Sequence, residues 1–149
     1  MAASTTSAIE IAAPPAAVMA VIADFPAYPA WAPSVCSADV VARGPGGRPA
    51  RVRFVLDAGV IKDSYVLSYT WDEASVRWAL AEPGSVISAM AGGYTLAGRG
   101  PATRVTYDLT VDVRLPLPGL LKRRAEKMII DTALKGLKNR AESARGGGT

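Results

Sequence analysis

The stretch TRVTYDLTVDV (residues 103–113) decides the fold, together with LPLPG (115–119) and LLKRRAEKMIIDTALKGLKNRAESA (120–144) that follow it. In the first segment Val105, Tyr107, Leu109, Val111 and Val113 alternate with Arg104, Thr106, Asp108, Thr110 and Asp112. That period of two is a strand with one buried and one wet face. Two prolines and a glycine stop it. In the third segment Leu121, Ala125, Met128, Ile129, Ala133, Leu137 and Ala141 recur at steps of three and four, the stripe of an amphipathic helix. Lys122, Arg123, Lys127, Lys138 and Arg140 lie mainly off that stripe. A one-faced sheet and a one-striped helix bury each other.

Upstream, the same period recurs between turn clusters. Strands are predicted at Val35–Arg43, Ala50–Asp57, Val60–Trp71, around Val76–Leu80 and at Val86–Ala97. Gly44–Gly47, Ala58–Gly59, Asp72–Ser75, Glu82–Gly84 and Gly98–Ala102 separate them. Short turns between consecutive strands imply antiparallel pairing. Before them come a strand at Thr6–Ile11 and a helix at Ala16–Ala23, opened by Pro14 and Pro15. A segment broken by Pro26, Pro29 and Pro33 follows, able to form only a helical turn and loop. The reading is α+β: a curved seven-stranded antiparallel sheet wrapped around a long C-terminal helix, with two short helices after strand 1. Residues 1–149 form one domain in this reading, with 1–6 and 145–149 flexible.

Composition excludes several chemistries. The 149 residues include no histidine and one cysteine. Histidine-based triads, dyads and zinc sites are therefore out, as are a disulfide and a cysteine-based structural zinc site. No phosphate-binding glycine motif is present, so nucleotide and nucleic-acid binding have no support, and neither metal nor cofactor is expected. Cys36 reads as a small buried hydrophobe. The longest apolar run, Ala12–Ala23, contains two prolines and is too short to span a bilayer. With no signal-peptide pattern at the N-terminus, the expectation is a cytoplasmic protein. The net charge of +4 is local: residues 1–118 carry nine Lys/Arg against ten Asp/Glu, whereas 119–149 carry eight against three.

Several segments, taken in order, resemble the START-like (SRPBCC) superfamily, in its polyketide cyclase/dehydrase-like or coenzyme Q-binding-like branch. They are Ile9–Pro14, Ala23–Trp31, Tyr65–Trp71 with Trp78, Gly93–Leu96, Thr103–Tyr107 and Leu115–Gly119. The resemblance implies a helix-grip fold with a hydrophobic cavity between sheet and long helix. It implies binding or transport of a lipid-, polyketide- or quinone-like molecule. A cyclase/dehydratase-type enzyme is the alternative. A further alternative is docking of the basic helix, with a weak membrane contact through Lys122, Arg123 and Arg124.

Strand parity then names the residues that would line such a cavity. Ile61, Asp63, Tyr65, Leu67, Tyr69 and Trp71 share one face of their strand. Asp63 interrupts that apolar row: it is either an edge aspartate that sees water or a carboxylate at the cavity mouth. Tyr65, Tyr69, Tyr94 and Tyr107 fall on inward positions, either as plain core or as the few polar groups that orient a ligand. Phe54, Trp78 and Met90 also face inward, Met90 with a register left open by Gly92-Gly93. Met128 and Ile129 face them from the helix. Phe25, Tyr28 and Trp31 form a gate or simply pack. For catalysis only Asp63 and Tyr65 are candidates.

Overall fold

A computed structural model describes residues 5–59, 61–114, 116 and 118–147, with side chains to residue 143. The strands are β1 (Thr5–Ile11), β2 (Val35–Arg43), β3 (Pro49–Asp57), β4 (Lys62–Trp71), β5 (Ser75–Glu82), β6 (Ile87–Arg99) and β7 (Ala102–Val113). They form one antiparallel sheet in the order β1-β7-β6-β5-β4-β3-β2. Between β1 and β2 lie helix α1 (Pro15–Ala23), a 3-10 turn (Phe25–Ala27) and the four-residue helix α2 (Tyr28–Trp31). Helix α3 (Gly119–Gly147) closes the chain. This is the helix-grip architecture read from the alternation of β7 and the stripe of α3.

Thr5 and Thr6 pair with Leu109 and Asp108, and 145–147 continue α3. Residues 1–4, 148 and 149 lie outside the described residues, as do Val60, Leu115 and Leu117 of the predicted segments. No helix among the described residues is long and apolar enough to cross a membrane.

The core lies between the concave face of the sheet and α3. The helix buries Ala125, Ile129, Ile130, Ala133, Leu134, Leu137 and Ala141. Met128 is 39% exposed, so its expected inward position is corrected. The stripe runs through Ile130 and Leu134, one step round the helix from Met128, because α3 leans toward β1 and β7. Three side-chain ties fix that lean. The buried Glu126 carboxylate accepts the Val111 N–H of β7 and the Thr5 hydroxyl of β1, both at 2.8 Å. The Lys138 ammonium donates to the Glu10 carbonyl at 3.2 Å. Glu142 accepts the Ala12 N–H at 2.8 Å and the Lys138 ammonium at 2.6 Å. The Ala12 N–H first, and Lys138 second, hold the Glu142 carboxyl below its ordinary pKa.

On the other side α3 meets α2 through Gly136. Any side chain at 136 would collide with the Trp31 carbonyl, and its β-carbon would sit 3.3 Å from Trp31 Cε3. A mid-helix glycine costs about 1 kcal/mol relative to alanine. Here it is what lets the two helices touch.

Cys36 is exposed, against expectation. A register shift in the β2–β3 pairing between Val35 and Ser37 breaks the parity there, so Ala38 takes the buried position. The Gly92-Gly93 pair carries no bulge; the irregularity in β6 lies between Ile87 and Ala89. Gly92 permits a close approach instead, since a β-carbon there would collide with the Asp108 carbonyl oxygen and lie 3.1 Å from the Trp78 ring.

Candidate functional site

The concave face of the sheet, α2 and α3 enclose a cavity of about 60 Å³. From the sheet come Phe54 and Leu56 (β3), Tyr65, Leu67 and Tyr69 (β4), Trp78 (β5), Met90 and Tyr94 (β6), and Tyr107 and Leu109 (β7). Strand alternation delivers every one of them, since each sits on the inward parity of its strand. α2 and the residues after it add Tyr28, Trp31, Ala32, Ser34 and Val35, and α3 adds Ile129, Thr132 and Ala133.

The lining is an aromatic chain. Tyr94 lies 4.6 Å from Tyr107, and both approach Trp78, at 5.4 and 5.5 Å between ring centres. Trp78 leads to Tyr69 at 5.7 Å, and Phe54 stacks on Tyr65 at 5.8 Å. Such offset and edge-on pairs each add about 0.5–1.5 kcal/mol beyond area burial. The Tyr28 hydroxyl donates to the Ile22 carbonyl at 2.5 Å, which anchors α2 to α1. Tyr65, Tyr69, Tyr94 and Tyr107 line the same small space. Burial pushes all four pKa values above the ordinary 10.0, and proximity to one another reinforces this at Tyr65, Tyr69 and Tyr94. These phenols are proton donors near neutral pH, not bases. The Trp31 indole N–H is buried without a hydrogen-bond partner, a state that costs about 1–3 kcal/mol.

The expected site residues divide as follows. Phe54, Tyr65, Leu67, Tyr69, Trp78, Met90, Tyr94, Tyr107 and Ile129 line the cavity, with Tyr28 and Trp31 of the expected gate. Phe25 does not reach the lining; it is a wedge behind it, fully buried, 4.8 Å from Tyr28 and 4.9 Å from Tyr69. Met128 faces outward. Asp63 is also absent from the lining, so of its two readings the cavity-mouth carboxylate is corrected: its carboxylate accepts the N–H groups of Ser85, Val86 and Ile87 at 3.0, 2.9 and 2.7 Å. Partial burial opposes its ionisation, but the N–H groups of Ile87, Val86, Ser64 and Ser85 outweigh that and hold its pKa below 3.8. It is the clasp of the β5–β6 turn. Gly84 is the matching signal, because a side chain there would run into the Asp63 carboxylate.

Of the basic triplet, Lys122 is turned toward Asp112 at 3.3 Å, while Arg123 and Arg124 stay exposed. Sequence reasoning missed Thr132, Glu126 and Gly136. Thr132 could have been found from its spacing of three from Ile129. A glutamate and a glycine in a basic amphipathic helix read as ordinary solvent-face residues until a second element lies against them.

Known proteins place this architecture. A START superfamily protein from Mycobacterium smegmatis superposes with a TM-score of 0.86 at 23% identity, covering 95% of this chain and 98% of that one. A protein from Thermus thermophilus gives 0.80 at 27% identity, over 95% and 99%. The Zhui aromatase/cyclase from Streptomyces sp. R1128 gives 0.80 at 16% identity, over 96% and 95%. No curated protein matches the chain by sequence. The family described as polyketide cyclase / dehydrase and lipid transport matches residues 2–142, which shows that the chain belongs to that family.

Proposed function

We propose that the protein binds an apolar small molecule bearing oxygen acceptors, in the cavity between the sheet and α3, as a binder or carrier. The supporting observation is the lining itself: aromatic and aliphatic walls that carry four tyrosines beside Trp31, whose buried indole N–H has no partner. Donors without acceptors, set in an apolar wall, are what orients an oxygen-bearing ligand in such a pocket. Among the described residues no carboxylate, lysine or arginine lines it.

At about 60 Å³ the cavity is well below the roughly 300 Å³ at which ligand pockets begin. Binding therefore requires the lining to give way. α2 is the element suited to this, being four residues long and flanked by prolines, and Met90 is the adaptable side chain opposite.

The second reading is a cyclase-type enzyme, favoured by the convergence of phenols. Tyrosines held protonated can donate to a carbonyl oxygen as charge develops on it. The Zhui protein is an aromatase/cyclase on the same fold. Fluorescence titration with the neutral probe N-phenyl-1-naphthylamine tests binding. The expected result is saturable one-to-one binding in the micromolar range, lost on filling the cavity by Leu109→Trp and weakened by Phe54→Leu. Absence of saturable binding by the folded wild-type protein overturns the proposal. Under the enzyme reading, Tyr107→Phe abolishes conversion of an aromatic poly-β-ketone while leaving its binding intact.

A further inference from the structure

A second, open space adjoins the cavity. On the outer side of α2 and α3 runs a groove of about 480 Å³, and Trp31 and Thr132 border both spaces. The Cε3 edge of the Trp31 ring lies against Gly136 of α3. Its unpartnered N–H is therefore on the ring's opposite edge, away from that contact. Trp31 is a partition held by packing alone. Tyr69 borders another groove, at the β2–β3 turn, but there the Trp71 N–H donates to the Pro49 carbonyl at 2.6 Å and Arg48 covers the Trp71 ring at 5.0 Å, so that wall is fastened.

The outer groove differs from the inner cavity in charge. Lys135 and Arg140 line it with Asn139, and among the described residues no carboxylate does. Among the described residues neither cation forms an ion pair. The nearby acids of α3 are engaged elsewhere, Asp131 with Lys127 at 2.9 Å and Glu142 with Lys138 at 2.6 Å. An apolar chamber with donors, an unfastened partition bearing a spare donor, and a cationic outer chamber together match a ligand that is apolar at one end and anionic at the other.

Resting on the binding function above, we propose that this protein's ligand is an aromatic oxo acid. Its flat body occupies the tyrosine-lined cavity. Its carbonyl oxygen accepts the Trp31 N–H as the indole swings aside. Its carboxylate lies in the outer groove against Lys135 and Arg140.

The test compares 4-(1-naphthyl)-4-oxobutanoate with its uncharged primary amide, by calorimetry at low salt, on the wild type and on Lys135→Ala/Arg140→Ala. Both positions are exposed on α3, and unchanged thermal unfolding of the double variant confirms its fold. The expected result is an acid at least tenfold tighter than the amide, with the gap closing in the double variant and the amide's affinity unaltered. Equal affinities in the wild type, or a gap that persists in the double variant, overturn the oxo-acid assignment while the amide's binding leaves the general binding function standing. Failure of both compounds to bind overturns the two together. Trp31→Phe keeps an aromatic side chain, smaller than the indole, and removes the donor. Because Trp31 lines the cavity, both ligands are expected to lose affinity, but the oxo acid severalfold more than 4-(1-naphthyl)butanoate, which lacks the ketone; equal effects on both overturn the role of the N–H.

Discussion

Asp63 shows how one residue's chemistry depends on what the chain brings to it. On its strand it breaks an apolar row. In the fold it faces the backbone of residues 85–87, accepts three N–H groups there, and clasps a turn. Asp63→Asn removes the charge and turns an amide NH₂ toward those donors. The expected loss is about 1–2 kcal/mol in urea unfolding, with no change in N-phenyl-1-naphthylamine affinity. The pH dependence has a definite sign. Because the folded pKa lies below the ordinary 3.8, the stabilisation is complete above that value and is lost as pH falls through the folded pKa. The difference between wild type and variant should therefore be constant near neutrality and shrink only in acid below about pH 4, which unfolding curves across pH 2–6 will show. An outward Met128 and an exposed Cys36 are misreadings of another kind. Parity and helical spacing assign a face to a residue, but a bulge or a helix that leans by one residue reassigns it.

At the scale of elements, α3 is held on its two flanks by different means. Toward β1 and β7 it is tied by polar groups, with Glu126 the only one of them fully buried. Glu126→Ala leaves the Val111 N–H and the Thr5 hydroxyl without their acceptor. The expected cost is about 1–3 kcal/mol in the denaturant midpoint, with Glu126→Gln costing less because its amide oxygen still accepts. Toward α2, α3 is held by shape. Gly136→Ala would stabilise an isolated helix by about 1 kcal/mol, but here the added methyl meets the Trp31 carbonyl. Overpacking of this kind costs about 1–3 kcal/mol, so the sign reverses and the melting temperature falls. The same variant pushes α2 outward, and a blue- or red-shifted Trp31 emission relative to the wild type reports the displacement. The strong ties lie on the β1 side and the bare packing contact on the α2 side. Any opening of the cavity therefore begins at α2.

The whole molecule places all five tyrosines in one buried space. Burial raises the pKa of each above 10.0, the value the unfolded chain would show. Their stabilising effect is complete below pH 10 and is lost as pH rises beyond it. Absorbance at 295 nm should therefore show no phenolate in the native protein near pH 10. All five should ionise in one cooperative step that coincides with loss of the near-ultraviolet circular dichroism. A graded titration starting near pH 10 in a still-folded protein would contradict the enclosed aromatic cavity.

The sequence by itself determined the elements, their antiparallel order and which side of each strand faces the helix. Those properties follow from local periodicity and turn chemistry, and each is written within ten or so consecutive residues. It also named most of the lining, because inward parity on β3–β7 is the lining. Only the tertiary structure decided how far the interior is filled, that Asp63 serves a turn, that Glu126 lies under the sheet edge, and that Trp31 stands between two compartments. Each of these depends on the angle at which α3 crosses the sheet and on the closeness of α2. Those are set by contacts between residues up to 130 positions apart, the separation between Ala12 and Glu142, and no local pattern encodes them.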